Sequence, residues 1–192
     1  MKAVPVYIEP GFCFFAAVML LILPMDWLLA AIMAAVFHEL CHFAAVMLWG
    51  GTITGVKIGI GGARIDAKLS GKRAVVAVLA GPAGSLLLLA FGRLWPEIAI
   101  CGFIQGIYNL LPLSGLDGGR AMAMILQMCC PDYAGGILCW VERAVFAVIL
   151  LIALYGTVIM KLGLWVFFSA MIPFFGVCHR KIPCKESRFG VQ

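Results

Sequence analysis

Apolar residues in this chain run in long blocks. Phe12 to Leu23 is one, Trp27 to Trp49 a second, a third opens at Lys72-Arg73 and reaches about Leu94, and a fourth starts near Glu97. At ~1.5 Å per residue, about 20 such residues cross a hydrocarbon core roughly 30 Å thick. The pattern predicts membrane helices. Lys2 ahead of Phe12 to Leu23 has the look of a secretory leader, but no small-x-small cleavage site precedes the next block, so the segment reads as a retained first helix. Pro24-Met25-Asp26 makes the turn into a second helix with a tryptophan at each end. Two more helices are expected at roughly 138–158 and 162–177, followed by a basic tail with Arg180, Lys181, Lys185 and Arg188. The expected fold is an all-α polytopic membrane protein of about six transmembrane helices, with residues 1–178 as the integral domain and 179–192 as the tail.

The period changes after Gly50-Gly51. Val56, Ile58 and Ile60 alternate with Lys57, Gly59 and Gly61, and Ile65, Ala67 and Leu69 alternate with Arg64, Asp66 and Lys68. Period two on both sides of Gly61-Gly62 predicts a small membrane-associated β-hairpin with one apolar face. Such a ribbon either anchors at the interface or offers its edge to an extended peptide. In the third helix Ala77, Gly81 and Ser85 recur every four residues, as Gly102 and Gly106 do in the fourth. Small residues at that interval let helices approach closely, which predicts a tight three-helix core with the second; they are also simply common in membrane helices. From Asn109 to Arg120 the run Asn-Leu-Leu-Pro-Leu-Ser-Gly-Leu-Asp-Gly-Gly-Arg breaks the helix, and a short segment from Met122 to Met128 leads to Pro131-Asp132. Irregular backbone at membrane depth needs protein or a polar cavity around it.

Composition agrees with the pattern: 192 residues, 64% hydrophobic, with a mean hydropathy of +1.09, exclude an ordinary soluble domain. The net charge of +5 does not point to nucleic acid. With six helices, Lys2, the five basic residues from Lys57 to Arg73, Arg120, Arg143 and the four of the tail fall on one side, leaving Arg93 and Lys161 opposite. By the positive-inside rule both termini are cytoplasmic. The eight cysteines form no C-x-x-C and suggest no disulfide framework, and Cys178-His179 with Cys184 is an incomplete ligand set for a metal.

Charge changes the picture most inside the second helix. From Trp27 to Val56 the one Asp, Glu, Lys or Arg is Glu39, in Phe37-His38-Glu39-Leu40-Cys41-His42-Phe43. Ionisable groups at that depth are rare and face a partner or a water-filled cavity. His38 and His42 project from one helix face a turn apart and can share a metal, while Glu39 can reach a water on that metal without being a ligand. A Zn²⁺ ion lowers the pKa of its water to roughly 7, which suits hydrolysis of a peptide carbonyl. The competing reading makes the histidines interhelical hydrogen-bonders with Glu39 as acceptor.

His38-Glu39-Leu40-Cys41-His42 on the second helix, combined with Asn109-x-x-Pro112-x-x-x-Leu116-Asp117-Gly118-Gly119 after the fourth, resembles the site-2 proteases, zinc intramembrane metallopeptidases. The resemblance implies one Zn²⁺ held by His38, His42 and Asp117, with Glu39 as catalytic base and Asn109 holding the substrate backbone. It covers the chain from about the first helix to Arg120. The six-helix order is most similar to the stage IV sporulation protease branch, which processes a membrane-tethered sigma-factor precursor. The implied partners are a membrane-protein substrate, such as a membrane-tethered transcription-factor precursor, and a membrane regulatory subunit; the implied location is the bacterial cell membrane. Two departures stand out. That branch carries a nucleotide-sensing domain after its last helix, for which the sequence to Gln192 has no room, and the family's A-G-P-x-x-N ends here in Ser85, a change expected to alter only packing.

The rival class is a non-enzymatic membrane protein, either a metal carrier or a scaffold with packing histidines. Asp117 discriminates, since packing gives no reason for a second acid in a broken intramembrane segment. Depth sharpens the expectation. His38 lies about 16 Å beyond Trp27, whereas a continuous helix from Glu97 would carry Asp117 to about 30 Å, so the fourth helix must stop near Asn109 for the two to meet.

Overall fold

The second apolar block folds as the helix that carries the histidines, Met25–Leu48 (α2), after a shorter helix, Pro10–Ile22 (α1). The computed structural model describes residues 5–8, 10–59 and 62–158. The expected helix at 162–177, the boundary at 178/179 and the basic tail lie outside them. The remaining helices are Gly71–Leu87 (α3), continued by a 3₁₀ turn over Leu88–Phe91, then Pro96–Leu110 (α4), Asp117–Cys129 (α5) and Ala134–Val158 (α6). Among the described residues three are long and apolar enough to cross a membrane, α2, α3 with its 3₁₀ extension, and α6, where about six spans are expected for the whole chain. α1, α4 and α5 have 13, 15 and 13 residues, short of a full crossing by length alone.

The alternating stretch forms the hairpin, with Thr52–Gly59 (β2) antiparallel to Gly62–Lys68 (β3). Gly59 pairs with Gly62 at the end of the ladder. The hairpin also gains a third strand. Val6–Ile8 (β1) pairs in parallel with Val56, Lys57 and Ile58, giving the order β1-β2-β3 and leaving β3 at an edge among the described residues. Lys57 and Asp66 bridge β2 and β3 at 3.3 Å.

Helices α2, α3 and α4 pack on one another as the small-residue spacing requires. A methyl group on Gly102 would stand 2.8 Å from the Ser85 carbonyl, and one on Gly106 would stand 3.2 Å from that of Pro82. A methyl on Gly84 would collide with Cys41 of α2. These contacts put backbone against backbone, the arrangement that favours association where lipid removes the hydrophobic drive.

The break after α4 has a local cause. Leu111 precedes Pro112, whose ring disfavours helical ψ in the residue before it, and Leu111 adopts ψ 136°. Helix α5 begins at Asp117, five residues ahead of the expected segment, with Gly118 and Gly119 inside its first turn. Side chains there would collide with the carbonyls of Leu110 and Leu113, so the glycines let α5 start directly against the loop that precedes it. The depths agree. His38 is thirteen residues beyond Met25 (38 − 25) and Leu110 fourteen beyond Pro96 (110 − 96), about 20 Å along each helix.

Candidate metal centre

His38 and His42 both point from α2 into the packed interior, 2% and 8% exposed. Space for the second ring comes from α3, since a Cβ on Gly81 would overlap the His42 imidazole. Each ring is fixed from behind. His42 donates its Nδ1–H to the Ala77 carbonyl at 2.8 Å, and Nδ1 of His38 lies 2.8 Å from Oγ of Ser85, which is fully buried. A carbonyl only accepts, so His42 carries a proton on Nδ1 and its neutral form presents a bare Nε2; where Ser85 accepts, the neutral form of His38 does the same.

Asp117 completes the group. Its Oδ2 stands 3.1 Å from His38 Nε2 and 3.0 Å from His42 Nε2, and the two Nε2 atoms are 3.1 Å apart. Its other oxygen, Oδ1, faces Arg120 Nη1 at 3.5 Å. Three atoms able to act as ligands thus converge within 3.0–3.1 Å of one another, and with both rings neutral and protonated at Nδ1 all three present lone pairs, an arrangement that suits a cation. Tetrahedral ligands on bonds of ~2.0–2.1 Å stand roughly 3.3 Å apart, so the group fits a Zn²⁺-sized ion with a few tenths of an ångström of relaxation. These three residues are a buried set able to hold a metal.

Glu39 lies beside the group without joining it. It is half-buried, and its Oε2 is inaccessible and has no hydrogen-bond partner among the described residues. A buried carboxylate oxygen without a partner is costly, and a water between it and the metal position would satisfy it. Glu39, His42 and Asp117 share a cavity of about 70 Å³, whose further wall includes Ile65, Ala67 and Leu69 on and just after β3. The hairpin is therefore part of the site.

Sequence reasoning placed His38, Glu39, His42 and Asp117, and the structure brings all four together. Asn109 sits in the last turn of α4, donating through Nδ2 to the Gln105 carbonyl at 3.1 Å, and is not among the residues lining the cavity. Ser85 needs correction: the departure from the asparagine pattern is a hydrogen-bond partner of His38 as well as a packing residue. Arg120, taken only as a topological charge, contacts the third ligand candidate. Glu142 of α6 was not singled out, and it is 2% exposed and accepts a hydrogen bond from the Ser114 backbone N–H in the loop before Asp117.

No family model matches the sequence, and no curated protein matches it. Among solved structures, the chain is similar to the site-2 protease from Methanocaldococcus jannaschii, with 18% identity, a TM-score of 0.66, and coverage of 99% of this chain and 97% of that one. The two share a fold over nearly their whole lengths.

Proposed function

We propose that the chain is a zinc metalloendopeptidase of the site-2 kind, which hydrolyses peptide bonds of other membrane proteins within or beside their transmembrane segments. The observation that carries this reading is the convergence of His38 Nε2, His42 Nε2 and Asp117 Oδ2 next to the unpartnered Oε2 of Glu39. The fold shared with a site-2 protease supports it.

The three converging atoms would hold the ion, which when bound supplies an acidified water and a Lewis acid for the scissile carbonyl. Glu39 accepts the proton of the attacking water and delivers it to the departing amide nitrogen, since it lines the cavity beside His42 and Asp117 and its Oε2 has no other hydrogen-bond partner among the described residues. Arg120 holds Oδ1 of Asp117 and so turns Oδ2 toward the histidines. Asn109 spends one of its two amide hydrogens on Gln105 and offers the other to the substrate backbone. The open edge of β3, whose residues wall the cavity, holds the substrate as an added strand. The six-helix order expected from the sequence is most similar to the stage IV sporulation branch, so the substrate proposed is a membrane-tethered transcription-factor precursor and the regulator a membrane subunit. The distribution of basic residues supports a multi-pass protein of the bacterial cell membrane with both termini cytoplasmic.

Glu39→Gln tests the reading. The amide cannot take the proton while all three candidate ligands remain, so zinc content should stay at the wild-type level and cleavage of a co-expressed membrane substrate should fall by roughly 10²–10⁴-fold. Cleavage retained at more than a few per cent would remove Glu39 from the chemistry.

A further inference from the structure

Helix α6 shows most of its surface outside the packed chain, and its buried positions are Ala134, Glu142, Ala153 and Gly156. Three of these are small. The fourth is an acid, 2% exposed, in a helix long and apolar enough to cross a membrane. An acid buried at such a place is expensive and marks a functional contact by default. Its neighbour Arg143 is exposed, with its guanidinium 5.9 Å above the Trp140 ring, so the two charges serve different faces of the helix.

Glu142 Oε1 accepts the backbone N–H of Ser114. Ser114 belongs to the irregular run between α4 and α5, where other N–H groups are met close by in the chain: Leu111 donates to Tyr108 at the end of α4, Leu113 to Leu111 and Leu116 to Leu113. These short-range bonds shape the loop but do not tie it to a helix distant in sequence. The Glu142 bond does, three residues before Asp117. Gly115, with φ 150°, lies between the two in a conformation that side-chain-bearing residues rarely adopt. An anchor on Ser114 therefore sets where the chain re-enters helix and where the Asp117 carboxylate stands.

We propose that Glu142 is a positioning residue of the metal centre, clamping the Ser114 amide so that Asp117 Oδ2 meets the two histidine nitrogens. The inference rests on the proposed metal site and concerns metal affinity before it concerns cleavage. Residues that orient ligands typically change metal affinity by about 10–100-fold when altered.

The test compares zinc affinity, by chelator competition, in purified wild type, Glu142→Gln, Glu142→Leu and Glu142→Asp. The d–d spectrum of the Co²⁺-loaded proteins and amide exchange across 111–116 are recorded alongside. Glutamine keeps an acceptor oxygen at the same reach, so it should bind zinc within about threefold of wild type and keep the cobalt spectrum. Leucine removes the acceptor; aspartate keeps the charge but withdraws it by one methylene. Both should bind zinc at least tenfold more weakly, with faster exchange across the loop and an altered cobalt spectrum. The aspartate arm carries the test if the leucine variant does not fold. Folded leucine or aspartate variants that bind zinc within threefold of wild type would overturn the clamp, as would a glutamine variant as weak as leucine. Wild-type protein that binds no zinc would instead contradict the proposed function itself.

Discussion

A single methyl group separates a formed metal site from a blocked one at Gly81, where an added Cβ would occupy the space of the His42 ring. Gly81→Ala should therefore cost about 1–3 kcal/mol in stability, by the usual penalty for overpacking, and weaken zinc binding because the ring must shift from the Ala77 carbonyl. A melt and a zinc titration check both; unchanged affinity would mean that α3 yields at no cost to the site. Asp117→Ala removes the third lone pair, and zinc should drop from about one ion per chain to a small fraction of it. Full occupancy in that variant would take Asp117 out of the ligand set. The residues legible in the sequence were those whose chemistry is local. His38, Glu39 and His42 lie within one helical turn, and their spacing alone puts them together. Ser85 and Glu142 act across 47 and 28 residues, on His38 and Ser114 respectively, and no spacing rule reaches that far. For Ser85 a signal existed in the polar residue that closes Ala80-Gly81-Pro82-Ala83-Gly84-Ser85; for Glu142 it was a lone acid in an apolar helix.

At the scale of elements, the hairpin was legible because period two persisted through both arms, and the early stop of α4 because Pro112 fixes the residue before it. Strand β1 was not, for three residues beside an apolar block carry too little pattern to separate strand from helix. The start of α5 was displaced because Gly118 and Gly119 read as helix breakers, whereas their lack of side chains is what seats the first turn against Leu110 and Leu113. The hairpin's place at the cavity gives it a testable part. Asp66 turns its carbonyl toward Thr54 on β2, so by the alternation of a strand its neighbour Ile65 turns its own backbone groups to the open edge. Ile65→Pro removes that outward N–H, and substrate cleavage should fall while zinc content holds. Unchanged turnover would reduce the ribbon to an interfacial anchor.

For the whole molecule, the account joins a fold and a site that have separate support. The fold is that of a solved site-2 protease over 99% of the chain, at an identity of 18%. The site is a buried His-His-Asp group with Glu39 at its side, whose Oε2 has no hydrogen-bond partner among the described residues, on a cavity that the hairpin helps to wall. At this scale the apolar blocks of the sequence suggest about six spans, and three helices among the described residues are long and apolar enough to cross. Hydropathy marks apolar blocks, but α4 ends where the site needs it to end, so one block need not equal one crossing. The most direct measurement of the central claim uses purified protein in bilayer nanodiscs with a labelled transmembrane peptide, stripped of metal by a chelator and then titrated with zinc. The account predicts no cleavage after stripping, and recovery that saturates near one zinc per chain in wild type but not in Glu39→Gln. Cleavage that persists with the chelator present, or that Glu39→Gln recovers equally, would contradict it.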